Sequence, residues 1–287
     1  MAVSITCPYG GRADHFYRGN LHTHTDRSDG KLRVEEVVAR YLTAGHDFLA
    51  ISDRDVCTPP FSELTLVSLP ALEISAGGPR LLAIGVERLY DTRLSRAEII
   101  AQIVADGGLC VLSHPNGGEN QNHWTLETML AAGPFHGIEI YNGVQARWTG
   151  SPWALDRWDA LLGAGRRVWG FANDDFHDTT DGPRAFNGVV AGACTPGMLV
   201  AAMKAGRFYA STGLKLETIE FTGRVLKIVA PDATQVRFIT KGGVVAKTVD
   251  APEATYQISG KDSYVRAELS GPGPRAAFTQ PIFVDFQ

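Results

Sequence analysis

The sequence predicts an α/β fold of repeated strand-helix units followed by a small all-β segment. Three observations carry this. Short apolar runs alternate with amphipathic stretches as far as about residue 213. Gly45, Gly107-Gly108 and Gly163 to Gly165 punctuate those stretches where a helix has to stop. Beyond Gly213 the helical period disappears, and short alternating runs lie between Gly, Pro and Asp turns. The boundary is drawn there, giving residues 1–213 and 214–287. A chain of 287 residues has room for one barrel with a small appendage.

Each element follows from a local pattern. The first apolar run ends in His22-Thr23-His24, and side chains two apart on a strand point the same way, so this pair can grip one metal ion. Residues 33–44 carry Val34, Val37, Val38, Tyr41 and Leu42 at helical spacing, with Gly45 as the stop. Residues 48–51 form the next strand and run into Ser52-Asp53-Arg54-Asp55. Two more strands are expected at 70–75, enclosing Glu73, and at 81–86. Ser95-Arg96-Ala97-Glu98 is a capping box, after which Ile99, Ile100, Ile103 and Val104 continue the helix.

Residues 109–112 deliver Ser113-His114-Pro115-Asn116, and a short helix over 125–132 precedes the strand 137–142, which ends in Asn142. Ser151-Pro152 reads as a helix start with proline in the first turn. The strand 168–172 ends in Asn173-Asp174-Asp175-Phe176-His177, and Thr195-Pro196 opens a last helix striped by Leu199, Val200 and Met203. In the tail, residues 218–221, 235–239, 254–258 and 264–269 are the expected strands.

Composition narrows the function classes. Apolar content of 44%, charged content of 20% and a net charge of -4 describe an ordinary globular chain without a broad basic surface, so a small-molecule partner is expected and nucleic acid is not. No run approaches the roughly 18 apolar residues of a membrane span, and no signal segment opens the chain, so no membrane partner and a cytoplasmic setting are expected. Cys7, Cys57, Cys110 and Cys194 lie far apart without a Cys-x-x-Cys, which points to free thiols.

Chemistry in strand-helix folds gathers at the carboxyl ends of strands. There the sequence puts His22 and His24, then Asp53 and Arg54, then Glu73 within its strand, His114, Asn142, and the Asp175/His177 pair. His15, His46, His123 and His136 fall in loops or at helix ends. A set of imidazoles and carboxylates recurring at strand ends fits the ligand preferences of transition metals. The tryptophans Trp153, Trp158 and Trp169 read as packing, while Trp148 stands in a loop beside the expected pocket.

In this order, His22-Thr23-His24 with Ser28-Asp29-Gly30, Leu49 to Asp53, Glu73, Ser113-His114-Pro115 and Asp175-Phe176-His177 resemble the PHP (polymerase and histidinol phosphatase) metal-dependent hydrolases over roughly residues 16–213. Gly206-Arg207-Phe208-Tyr209-Ala210-Ser211-Thr212-Gly213, with a β segment ending near Phe278-Thr279-Gln280-Pro281-Ile282, is similar to the CehA/McbA-type members, which join such a barrel to a small β-sandwich. The resemblance implies a distorted (β/α)7 barrel and up to three metal ions, commonly zinc, manganese or iron. It implies that His22, His24, Glu73 and Asp175 hold the first ion. Glu73 would bridge to a second ion held by His114 and Asn142, and Asp29 and His177 would face a third.

The pattern breaks at Arg54, which stands where the family carries a histidine. A guanidinium stays protonated and offers no lone pair to a metal. One or two divalent ions are therefore expected. Two readings of Arg54 stand: a clamp for a substrate phosphate or carboxylate, or a salt-bridge filler facing Asp29, Asp53 or Asp55. The implied activity is hydrolysis by a metal-activated water, with a small phosphorylated molecule as substrate, His177 as general acid or base and Asp174 or Asp53 orienting it. Hydrolysis of a carboxylic ester, amide or carbamate at the same centre is the alternative, and a non-catalytic metal- or ligand-binding module is a third.

Overall fold

The computed structural model describes residues 3–61 and 65–286. Its first site-bearing strand, Tyr17–Asn20, pairs in parallel with Phe48–Ala50, and that strand pairs in parallel with Val67–Leu69. Pro70 has no N–H to give and interrupts the run. The chain resumes as Ala71–Ile74 at the edge of a second sheet, ordered Ala71–Ile74, Leu81–Ile84, Leu109–Leu112, Gly137–Asn142, Trp169–Asn173. All residues of the first three of these strands are buried, so their sequences, Glu73 apart, are apolar without alternation. At the far edge a lone parallel bridge joins Thr23 to Phe176, with His24 N donating to Phe176 O at 2.8 Å. That bridge brings the last strand of the second sheet back to the first.

Five α-helices cover this frame among the described residues. Val34–Thr43 buries Val34, Val37, Val38 and Tyr41, and Gly45 ends it at φ 75°, a conformation that costs other residues about 1 kcal/mol. Arg96–Ala105 starts on the expected capping box, with Ser95 accepting from Glu98 N and Glu98 reaching back to Ser95 N. Pro196 opens Pro196–Lys204.

Two local expectations need correction. Strand-helix repetition predicts parallel strands throughout, yet Leu81–Ile84 runs antiparallel to both Ala71–Ile74 and Leu109–Leu112. The connection from Ile74 to Leu81 is a tight turn through Gly77 at φ 81°, too short for a crossover. Ser151-Pro152 does not start a helix. Pro152 O accepts from Asn142 N, Trp153 bridges Tyr141 in antiparallel sense, and the helix begins only at Leu155. Backbone pairing with the neighbouring strand outweighs the proline signal there.

Strand pairing continues past residue 213. Phe208–Ser211 pairs with Ala276–Thr279, and Val3–Thr6 pairs with Ile282–Phe286. The eleven-stranded sheet that includes Tyr17–Asn20 therefore also includes strands of the tail. A separate four-stranded sheet, Glu253–Gln257, Val225–Val229, Thr218–Thr222 and Arg12–Ala13, faces it. Ile219, Leu226 and Ile228 from one sheet share a core with Val236, Phe238, Ala267 and Leu269 from the other. No helix among the described residues is long and apolar enough to cross a membrane.

The tail grips the helix Leu155–Gly163. Arg266, almost wholly buried, meets the Asp159 carboxylate through Nη2 at 2.7 Å and Nε at 3.1 Å, bonds Glu268 at 2.7 Å, and lies 4.8 Å from the Trp158 ring. Gln280 completes the anchor by pairing its side-chain amide with the backbone N and O of Gly170 at 2.9 and 2.8 Å. Replacing Arg266 leaves the part-buried Asp159 with only the Tyr264 hydroxyl and the buried Glu268 with only Arg237, a loss toward the low end of the about 3–5 kcal/mol that breaking a buried pair costs. Arg266→Ala is expected to lower the urea midpoint by an amount corresponding to that loss; an unchanged midpoint would show that the pair carries no stability.

Candidate metal centre

Five side chains delivered by four different segments converge. His22 Nε2 lies 3.2 Å from Glu73 Oε1 and 3.1 Å from Asp175 Oδ1. His24 Nε2 is 3.1 Å from the same Asp175 oxygen and 3.8 Å from Glu73 Oε2. His114 Nε2 stands 3.7 Å from Glu73 Oε1. All five are buried. Ligand atoms held at about 2.05 Å around a tetrahedral ion are about 3.4 Å apart, so these separations match a coordination shell.

Backbone geometry at the site is unusual in two places. His114 has φ 29° and Asp175 has φ 55°, left-handed values that non-glycine residues adopt at a cost of order 1–3 kcal/mol. The loop carrying His24 is tied down by Asp53, which accepts from Thr25 N, Thr25 Oγ1 and Ser28 Oγ, each at 2.7 Å. Gly30 lets that loop fold back, since a Cβ there would lie 2.6 Å from the His24 carbonyl carbon.

Glu139 was missed by sequence reasoning and is the hub behind the ligands. Its Oε1 faces His22 Nδ1 at 2.8 Å and accepts from Asn173 Nδ2 at 2.8 Å. Its Oε2 accepts from His114 N and Asn142 Nδ2, each at 2.8 Å. The signal was present: a carboxylate between Ile138 and Ile140 in a strand buried nearly throughout.

Several expected residues take other positions. Asn142 does not turn its oxygen toward His114. Its amide nitrogen donates to Glu139 and to Asp175 Oδ2 at 3.1 Å, and its oxygen faces Gln145 N at 3.3 Å. It braces carboxylates. Neither Asp174 nor Asp53 reaches His177. Asp174 accepts from Asn20 and Tyr41 at 2.9 Å and from Arg184 N and Ala185 N at 3.0 and 2.8 Å, linking three elements. Burial pushes its carboxyl up to about 6 against these donors. His177 is oriented instead by Nδ1–H to the Asp175 carbonyl at 2.7 Å and by its own N–H to Asp181 at 2.8 Å. The half-exposed Trp148 ring lies against it at 5.0 Å.

Arg54 fills the mouth of the site. Nε donates to Asp29 Oδ2 at 2.6 Å, Nη2 to His177 Nε2 at 2.9 Å, and Nη1 to Glu73 Oε2 and to Ser75 Oγ. Arg54 and Asp29 do pair, as the filler reading requires, while Asp53 and Asp55 are engaged elsewhere.

The residues fit a divalent ion. His22 Nε2, Glu73 Oε1 and both His114 ring nitrogens are buried without any hydrogen-bond partner, although His22 Nε2 and His114 Nε2 stand 3.2 and 3.7 Å from Glu73 Oε1. Glu73, Glu139 and Asp175 bring three buried carboxylates together against one guanidinium, a negative excess that an interior tolerates only with a cation. Burial alone would raise the Glu73 carboxyl, but the charge of His22 and the close approach of His114 and Arg54 hold it well below the usual carboxylate range. Burial likewise lowers His22, yet Asp175, Glu139 and Glu73 lift it well above an ordinary imidazole.

Neither a protein-family model nor a curated protein matches the sequence. Among solved structures the chain is similar to a two-domain protein from Bacteroides vulgatus that contains a predicted PHP-like metal-dependent phosphoesterase, at 15% identity and TM-score 0.55, covering 99% of this chain and 89% of that one. It is also similar to the lesion-specific endonuclease PfuEndoQ of Pyrococcus furiosus, at 13% identity and TM-score 0.51, over 78% of this chain and 62% of that one. An Endonuclease Q bound to a 27-mer duplex with an abasic lesion at the active site aligns at 12% identity and TM-score 0.50, over 66% and 56% of the two chains. At these identities the likeness is one of fold.

These relatives correct one expectation. Nucleic acid was excluded on net charge, but the same fold serves endonucleases, one of them seen on a DNA duplex. Net charge sums the whole surface and says little about one cleft.

Because Glu139 fixes the His22 ring from behind, its loss should loosen the first ligand without removing one. Glu139→Gln is expected to weaken divalent-ion affinity about 10–100-fold, as outer partners of metal-bound histidines do. Competition with a chromophoric chelator measures it, and an unchanged affinity would remove Glu139 from the site.

Proposed function

We propose that this chain is a metal-dependent hydrolase of the PHP type, most nearly of the CehA/McbA-type subgroup, that cleaves a phosphoester of a small molecule. In this reading residues 1–213 carry the chemistry, residues 214–287 form a small β-sandwich-like domain that buttresses it, and the setting is cytoplasmic. The observation that carries the proposal is the buried meeting of His22 Nε2, His24 Nε2, the Glu73 carboxylate and Asp175 Oδ1 at 3.1–3.8 Å, with His22 Nε2 and Glu73 Oε1 lacking any hydrogen-bond partner. The shared fold with a predicted PHP-like metal-dependent phosphoesterase supports the choice of phosphoester.

His22, His24, Glu73 and Asp175 would hold one divalent ion of zinc, manganese or iron, with His114 beside them for a second. Such an ion supplies Lewis-acid polarisation of the ester and lowers the pKa of water from 15.7 toward about 7. The remaining work falls to the chain itself. His177 keeps its Nδ1 proton on the Asp175 carbonyl, so proton transfer takes place at Nε2, the nitrogen that faces the mouth. Trp148 lies against the His177 ring and would offer an apolar wall to the organic part of a substrate.

Dialysis against a chelator is expected to abolish hydrolysis of a phosphodiester or phosphomonoester, and manganese, iron or zinc to restore it. His24→Ala should lower kcat/KM by about 100-fold or more together with metal content. Full turnover by metal-free protein would overturn the reading. An aryl ester cleaved faster than either phosphoester would move the substrate to the acyl class on the same centre.

A further inference from the structure

A second group of metal-ligating atoms adjoins the first. His24, Asp29 and His177 each offer a ligand atom within 4.8 Å of one another. His24 Nδ1 is buried without a hydrogen-bond partner and lies 3.8 Å from Asp29 Oδ1, while His177 Nε2 lies 3.5 Å from Asp29 Oδ2. His177 gives its Nδ1 proton to the Asp175 carbonyl, so Nε2 carries a lone pair. Glu73 Oε2 completes the surround, because Glu73 turns only Oε1 toward His22 and His114.

The cation in this place is Arg54. Its guanidinium makes four hydrogen bonds, to Asp29, Glu73, Ser75 and His177, and its side chain is only 13% exposed. A guanidinium has five N–H donors, and a bidentate grip on a phosphate needs two. Too few remain here for a substrate clamp. What the side chain does do is satisfy the lone pairs of Asp29, His177 and Glu73, which a metal ion in the same position would take.

We propose that His24, Asp29, His177 and Glu73 Oε2 form a second divalent-cation site which Arg54 fills with its own charge. The native chain is thereby limited to the metal ions of the first cluster, and replacing Arg54 opens the second site to a free ion. This rests on the metal reading of the first cluster, since both sites share His24 and Glu73.

Metal content decides it. Wild type, Arg54→Ala, Arg54→His and the double variant Arg54→Ala/His177→Ala are equilibrated with Mn2+, and bound manganese per folded chain is measured by elemental analysis alongside calorimetric titration. The expected result is one more ion in Arg54→Ala and Arg54→His than in wild type, with the extra ion lost in the double variant. A count equal to wild type in the folded single variants overturns the proposal, as does an extra ion that survives the loss of His177. Removing Arg54 also takes a cation from the buried Glu73 carboxylate, so folding of the single variants is measured with and without metal. Folding rescued by Mn2+ then supports the proposal, and failure to fold even with Mn2+ in both single variants overturns it. A wild-type chain that binds no ion is a different failure. It sinks the first cluster and the hydrolase reading on which this proposal rests, and it is told apart from failure of the proposal itself, which is a wild type that binds metal and a count that does not rise when Arg54 is lost.

Discussion

Three carboxylates buried together set the terms for the rest of this structure. Glu73, Glu139 and Asp175 are each at most 1% exposed. A carboxylate taken out of water costs several kcal/mol unless donors or cations surround it. The surrounding architecture supplies them. His22 sits between all three, Asn142 and Asn173 turn their amide N–H groups toward them, and Arg54 closes the open side. Even the left-handed backbone at His114 serves this end, for it points the His114 N–H at Glu139.

Much of the gathering was legible in the sequence, and the reasons are physical. Side chains alternate on a strand, so His22-Thr23-His24 had to present two imidazoles to one face. Glu73 in an apolar strand and His114 and Asp175 just past strand ends followed the rule that strand-helix folds work at their carboxyl ends. The pairing of Arg54 with Asp29 followed from an unmatched charge where a neutral ligand was expected.

What was not legible has equally definite causes. Asp53 and Asp174 were taken as partners of His177, but Asp53 is spent on Thr25 and Ser28, and Asp174 and Asp175 are consecutive and point opposite ways, one to Tyr41 and one to His24. Asn142 looked like a ligand by position, and only its surroundings show its nitrogen facing carboxylates. Glu139 passed as an ordinary alternating residue because the strand's burial on both faces is a tertiary fact. The antiparallel course of Leu81–Ile84 was hidden for a similar reason, since strand direction depends on connection length and packing rather than on the strand's own residues.

The sheet that runs from Tyr17–Asn20 through Phe208–Ser211 into the tail has a consequence for the order in which the molecule is made. Synthesis delivers His22 and His24 early, but Phe208–Ser211 lacks its neighbour until Ala276–Thr279 is free, and Val3–Thr6 waits for Ile282–Phe286. Asp175, at the end of a strand tied to Gln280, arrives in a frame still missing its last support. The ligands are thus translated long before the scaffold that spaces them can close. An ion that reaches the chain before residues 276–286 are made meets histidines whose scaffold is still open.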